Sequence, residues 1–127
     1  MRLLIDSNVY TDLWRDVPEV VKTLEDADAI CVPFIVLGEL RSGFLNGMHT
    51  MENEYILRQF LSQPDVEVVS ANEATTVHYG AFHHQLRMKG TPIPTNDVWI
   101  AALAFQYNLY LYSRDKHFDH LPQLMRG

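Results

Sequence analysis

The sequence predicts an α/β fold: one domain over residues 1–127, built on a central parallel sheet of four to five strands with helices on both faces. Two observations carry this. Short, largely apolar runs recur at Leu3-Leu4-Ile5, Ala29-Ile30-Cys31-Val32, Val66-Glu67-Val68-Val69 and Leu109 to Tyr112. Strands that are apolar on consecutive positions are buried on both faces, as in the middle of a parallel sheet. Segments of helical periodicity separate these runs, and strand–helix alternation is the pattern of α/β proteins. The chain of 127 residues, 47% hydrophobic and 20% charged, has the size and composition of one ordinary globular domain.

In chain order, Arg2 to Asp6 reads as the first strand and ends on a carboxylate. Ser7 to Trp14 reads as a helix. Pro18 suits the first turn of a second helix, running to about Asp28, whose apolar face is Val20, Val21 and Leu24. Ala29 to Val32 is the second strand, ended by Pro33. Phe34 to Leu45 follows as a helix with Phe34, Leu37, Leu40 and Phe44 at helical spacing. Glu39 lies off that stripe, and Gly43, four positions on, leaves room beside it. His49 to Gln63 is a further helix, closed by Pro64-Asp65.

Val66 to Val69 is the third strand. Ser70-Ala71-Asn72-Glu73 matches a capping box, which starts a long helix ending near Lys89. After the stiff loop Gly90 to Pro94, Thr95 is placed to cap a helix from Asn96 to about Tyr107. That helix is apolar nearly all round (Val98 to Phe105), so it belongs in the core. Leu109 to Tyr112 is the fourth strand. The tail after Phe118 has length for a turn and a strand stub.

Composition bounds the function. Cys31 is the only cysteine and cannot form an intramolecular disulfide, so a reducing cytoplasm is expected. No run is long enough to span a bilayer and none reads as a signal peptide. The net charge of -6 argues against nucleic acid if taken globally. Local distribution matters more.

The chemistry lies in four acids. In a parallel sheet, strand ends and the starts of following helices share one edge, where α/β proteins hold ligands. Asp6 ends the first strand, Asp97 stands in the first turn of the apolar helix, and Asp115 follows the fourth strand. Glu39 reaches the same edge if its helix leans over it. Each has a modest reading: Asp6 as a helix cap, Asp97 as a dipole complement, Asp115 as a turn residue, Glu39 as a solvated acid. Jointly these fare worse, because Glu39 and Asp97 are embedded in apolar segments where a random acid is costly. Two carboxylates about 5 Å apart repel by roughly 3 kcal/mol at an effective dielectric near 20, so a cluster calls for cations. All-oxygen ligation suits Mg2+, with Mn2+ able to substitute. The chemistry of such a site is phosphodiester hydrolysis by water activated on a metal.

Leu4-Ile5-Asp6-Ser7-Asn8, Leu37-Gly38-Glu39-Leu40 with Gly43, Asn96-Asp97-Val98-Trp99-Ile100-Ala101-Ala102 and Ser113-Arg114-Asp115-Lys116-His117-Phe118 occur in this order across nearly the whole chain. Together they resemble the PIN-domain ribonucleases, specifically the toxin member of VapBC toxin–antitoxin pairs. The resemblance implies a Mg2+-dependent endoribonuclease with Asp6, Glu39, Asp97 and Asp115 as catalytic, metal-holding acids. Asn8 and Ser113 are supporting polar residues; Ser113 stands where the family often has Thr. It also implies a homodimer, an RNA substrate, and a small antitoxin that blocks the site. Family members continue into a further strand after the stretch resembling Leu121-Pro122-Gln123-Leu124, and only three residues follow here.

Arg41, Arg114 and Lys116 sit near the acids in sequence and are expected to form a positive rim for RNA, with Arg87 and Lys89 as further candidates. The helices Phe34 to Leu45 and His49 to Gln63, with Trp14, Phe44 and Tyr55 exposed, are expected to form the antitoxin groove. Zinc is disfavoured, since His83 and His84 point apart and His117 and His120 lack a third ligand; His117 is expected to hydrogen-bond locally. Two rival readings remain. A phosphatase-type Mg2+ hydrolase needs a second Asp where this chain has Asn8. A non-catalytic PIN-like binding module would not need an intact acid set.

Overall fold

The computed structural model describes residues 1–127. Its elements are β1 (Arg2–Ile5), α1 (Ser7–Trp14), α2 (Pro18–Asp26), β2 (Ala29–Pro33), α3 (Phe34–Leu45), α4 (Thr50–Leu61), β3 (Val66–Val69), α5 (Glu73–Lys89), α6 (Thr95–Gln106) and β4 (Tyr110–Tyr112). A short 3-10 turn, Lys116–His120, follows β4. One sheet has the order β3-β2-β1-β4, and all three pairings are parallel. Leu3 lies opposite Ile30 on one side and Tyr110 on the other.

This order follows from the sequence. Leu3, Leu4 and Ile5 of β1 are all buried, as a strand between two neighbours and two helical layers must be. The edge strand β3 buries Val66 but exposes Glu67 and Val68, because only one of its sides is paired. The steps β1 to β2 to β3 move toward one edge, and the step β3 to β4 returns past β1. With right-handed crossovers, α1–α4 cover one face and α5 and α6 the other. The direction of winding therefore reverses at β1, which makes its C-terminal end the switch point where α/β sheets open a crevice.

Helix α6 supplies the densest part of the core. Val98, Ile100, Ala101, Ala102, Leu103 and Ala104 are each at most 1% exposed. No helix is long and apolar enough to cross a membrane.

Several local expectations change. The cap of α5 is Asn72, not Ser70: Asn72 Oδ1 accepts from the Thr75 amide at 3.3 Å and Thr75 Oγ1 accepts from the Asn72 amide at 2.9 Å. Thr75 also donates to Gln106 Oε1 at 2.5 Å, so the box is anchored to α6 by a contact that a local motif cannot reveal. Thr95 is the first residue of α6 rather than its cap. Pro94 holds that position, and its carbonyl accepts from the Asp97 and Val98 amides. On α3 the fully buried positions are Val36 and Leu40, while Phe34 is exposed and Leu37 and Phe44 are half-buried. The helix meets the sheet along a line rotated from its most apolar stripe. Other helix ends fall within two residues of expectation.

The fifth strand is reduced to one parallel bridge between Leu111 and Arg126. The Leu111 amide donates to Met125 O at 2.8 Å and the Gly127 amide to Leu111 O at 3.0 Å.

Candidate active site

The end of β1 places Asp6 in the core, 5% exposed. Its Oδ1 accepts from the Val9 amide at 2.9 Å, so Asp6 does cap α1. The cap occupies one oxygen. The other, Oδ2, accepts from Ser113 Oγ at 2.5 Å. Ser113 Oγ in turn accepts from the Asp115 amide at 3.0 Å, so one hydroxyl couples the end of β1 to the loop after β4. Asp115 caps the 3-10 turn through the His117 amide at 2.9 Å.

Asp97 enters from the first turn of α6, partly buried. His117 Nδ1 lies 2.8 Å from Asp97 Oδ2 and 3.1 Å from Asp115 Oδ1. Glu39 is exposed on α3 and leans over the sheet edge. Its Oε1 accepts from Ser7 Oγ at 2.7 Å and its Oε2 from Asn96 Nδ2 at 3.3 Å. Glu39 is thus held by the neighbours of Asp6 and Asp97 in sequence. Beside it, a Cβ added at Gly43 would meet nothing within 4 Å.

The four acids repel one another. Burial raises the carboxyl pKa of Asp6 above its ordinary value, against the Ser113 and Val9 hydrogen bonds, and the charges of Asp115 and Glu39 raise it further. Burial likewise raises Asp97, against the His117 bond, with Asp115 and Asp6 adding to the rise. The structure therefore brings Asp6, Glu39, Asp97 and Asp115 within electrostatic reach of one site.

His117, Ser7 and Asn96 are the polar residues that sequence reasoning left outside this set. His117 makes the local bond expected of it, to Asp115, but also the long-range one to Asp97. The Asp115-x-His117 spacing signals the first, and only the packing of α6 supplies the second. Ligand atoms of Asp97, Asp115 and His117 lie within 4.8 Å of one another, so, against the expectation that His117 lacks further ligands, the packing of α6 brings two carboxylates to it. The carboxylate oxygens of Asp97 and Asp115 are donors that suit Mg2+ or Mn2+, whereas the His117 imidazole is one that zinc and other transition metals also take.

The expected basic rim is largely spent elsewhere. Arg41 makes two bonds of 2.9 Å to Glu54 on α4, a bidentate pair turned away from the acids. Arg114 bridges to Asp12 and Glu19, each at 3.1 Å, and ties its loop to α1 and α2. Lys89 donates to His120 O at 2.9 Å, and Arg87 lines an apolar pocket with Leu86 and Ile93. Lys116 remains exposed and unpaired. Asn8 lines the open side of the site beside Asp115 and bonds to none of the acids.

The PIN domain family model matches residues 3–124. Ribonuclease VapC1 of Haemophilus influenzae is 30% identical over 98% of this chain and 95% of its own. Ribonuclease VapC2 of Rickettsia felis is 30% identical over 98% of this chain and 96% of its own. The solved VapBC2 complex from Rickettsia felis, bound to a DNA fragment from its promoter, superimposes with a TM-score of 0.88 at 26% identity, covering 100% of this chain and 98% of that one.

Proposed function

This chain belongs to the PIN-domain family as a VapC-type ribonuclease, and we propose that it is a Mg2+-dependent endoribonuclease toxin, restrained by a cognate antitoxin. The observation that carries the reading is the convergence of Asp6, Glu39, Asp97 and Asp115 at the C-terminal edge of a parallel sheet, where burial raises the carboxyl pKa of Asp6 and Asp97 and the neighbouring acids add to the rise. Carboxylates that repel one another without a cation are arranged to hold one.

Asp6, Asp97 and Asp115, with Glu39 at the rim, would hold the cation. When bound, it supplies a water of lowered pKa and neutralises charge on the phosphate. Ser113 orients Asp6 and the Asp115 loop together. Ser7 and Asn96 hold Glu39 toward the site. His117 bridges Asp97 and Asp115 and keeps the two carboxylates apart from free rotation. The membership also supports a homodimer, and the single buried Cys31 accords with a cytoplasmic home. A non-catalytic binding module would have no use for acids kept at this electrostatic cost, and the phosphatase alternative lacks its second acid at Asn8.

The deciding experiment combines thermal melting with RNA cleavage. Mg2+ that binds only the folded state should add roughly 1.4 kcal/mol at ten times its dissociation constant, and Mn2+ should act alike. Cleavage of single-stranded RNA should require one of the two. Melting indifferent to both ions, with no cleavage, would sink the reading.

For the antitoxin, the supporting feature is an apolar groove between α1, α3 and α4, lined by Tyr10, Trp14, Leu40, Phe44 and Ile56. Trp14 is 50% exposed, and Tyr55, 65% exposed, lies in an adjoining groove between α3 and α4 that Phe44 also lines. An amphipathic antitoxin segment seated there could direct an Arg to the acids. Phe44→Asp or Tyr55→Asp should weaken antitoxin binding by about 2 kcal/mol, some thirtyfold, with the circular dichroism spectrum unchanged. Unaltered affinity in a folded variant moves the groove elsewhere.

A further inference from the structure

Beside the acids a polar groove of about 730 Å³ opens between α1 and the loop after β4. No apolar side chain lines it, and it shares Asp115 and His117 with the acid cluster. Arg114 also lines it, but Asp12 and Glu19 occupy that guanidinium. Arg15 and Lys116 differ. Arg15 is the C-terminal cap residue of α1, and Lys116 opens the 3-10 turn. Both are exposed, and neither side chain makes an ion pair or hydrogen bond. On a protein of net charge -6, two uncompensated cations facing one groove next to the acids are a local exception to the global field.

We propose that this groove is a backbone-binding subsite, in which Arg15 and Lys116 hold phosphates of the RNA strand on one side of the bond to be cut, with Asn8 and Thr11 offering hydrogen bonds to sugar or phosphate oxygens. The proposal rests on the ribonuclease reading and names where the strand leaves the acids. Phosphate contacts supply affinity and register without reading sequence. No Phe, Tyr or Trp lines the groove, so it lacks the large aromatic platforms that single-strand binders use to stack successive bases. The subsite therefore contributes to binding of any single strand and leaves base selection to other contacts. It also separates working cations from structural ones: Arg41 and Arg114, nearer the acids in sequence, are occupied by carboxylates, whereas Arg15, remote from three of the acids in sequence, is free.

The test is steady-state cleavage of single-stranded RNA in Mg2+ by the full chain and by Arg15→Gln, Lys116→Gln and the double variant. Lys22→Gln, which removes the same charge from the outer face of α2, serves as control. Each groove variant should raise KM about tenfold, the effect of one charge-assisted hydrogen bond, with kcat unchanged. The slope of log kcat/KM against log salt should become shallower by roughly 0.7 per cation removed. Arg15→Lys should restore most of the loss, and Lys22→Gln should match the parent. In parallel, the affinity of a fluorescein-labelled RNA strand measured in EDTA should fall in the same order. If the parent chain cuts RNA but the groove variants keep its KM, salt slope and EDTA affinity, the subsite is wrong and the ribonuclease reading stands. If the parent binds the strand but never cuts it, and the variants lose that binding, the catalytic reading fails and the subsite stands. A fall in kcat at unchanged KM would overturn the subsite by assigning both cations to the acid site.

Discussion

Asp97→Asn is expected to reduce RNA cleavage by orders of magnitude while leaving the metal-free protein as stable as the parent or more so. Asn is nearly isosteric with Asp, and its carbonyl oxygen can still accept from His117, 2.8 Å away in the parent. Packing therefore cannot explain a loss of activity. What changes is charge. A neutral amide offers a cation only a weak oxygen ligand, so Mg2+ stabilisation should weaken along with cleavage.

The stability side follows from linkage. Burial raises the native pKa of Asp97 above its ordinary value. Between those two values the native state holds more protons than the unfolded chain. Stability of the metal-free protein therefore falls as pH rises through that window, then stays at the lower level. Asp97→Asn deletes this group's share of the fall, so denaturant unfolding in EDTA from about pH 4 to pH 7 should give a flatter profile for the variant. Were Asp97 only a complement to the dipole of α6, the variant would lose about 0.3–1 kcal/mol and still cut RNA. A variant that melts earlier without metal and cleaves at the parent rate would refute the metal role.

Asp6 carries two jobs at once, and two substitutions separate them. Asp6→Asn should abolish cleavage, yet an amide can still cap α1 through its oxygen and bond Ser113 through its nitrogen, so stability in EDTA should hold or rise as a buried charge disappears. Asp6→Ala should abolish cleavage and also lose the cap, costing about 1 kcal/mol relative to Asp6→Asn. Measured by urea unfolding alongside single-turnover cleavage, equal stability of the two variants would deny the cap. Retained cleavage in Asp6→Asn would deny the acid its place among the metal ligands.

Strand β1, helix α6 and the parallel topology were readable in sequence because each is written locally. Continuous apolarity at Leu3-Leu4-Ile5 means burial on both faces, and apolarity all round Val98–Ala104 means a core helix. Asp6, Asp97 and Asp115 were readable for a related reason: in a parallel sheet, connectivity alone delivers strand ends to one edge, and α6, whose C-terminus leads straight into β4, starts at that same edge. Glu39 was the weakest of the four from its helix, and the family pattern identified it.

Tertiary structure alone decided which groups meet across the chain. Arg114 to Asp12, Ser7 to Glu39, His117 to Asp97 and Thr75 to Gln106 are pairings between segments far apart in sequence. Their formation depends on how two crossovers pack against opposite faces of the sheet, which no local pattern encodes. For that reason the sequence by itself determined the fold and which acids stand at one edge of the sheet. The packed structure determined which cations beside the site are consumed as struts, Arg41 and Arg114, and which stay unpaired, Arg15 and Lys116. A carboxylate's place follows from the strand it ends, but a long, flexible cation takes whichever partner the finished fold brings within reach.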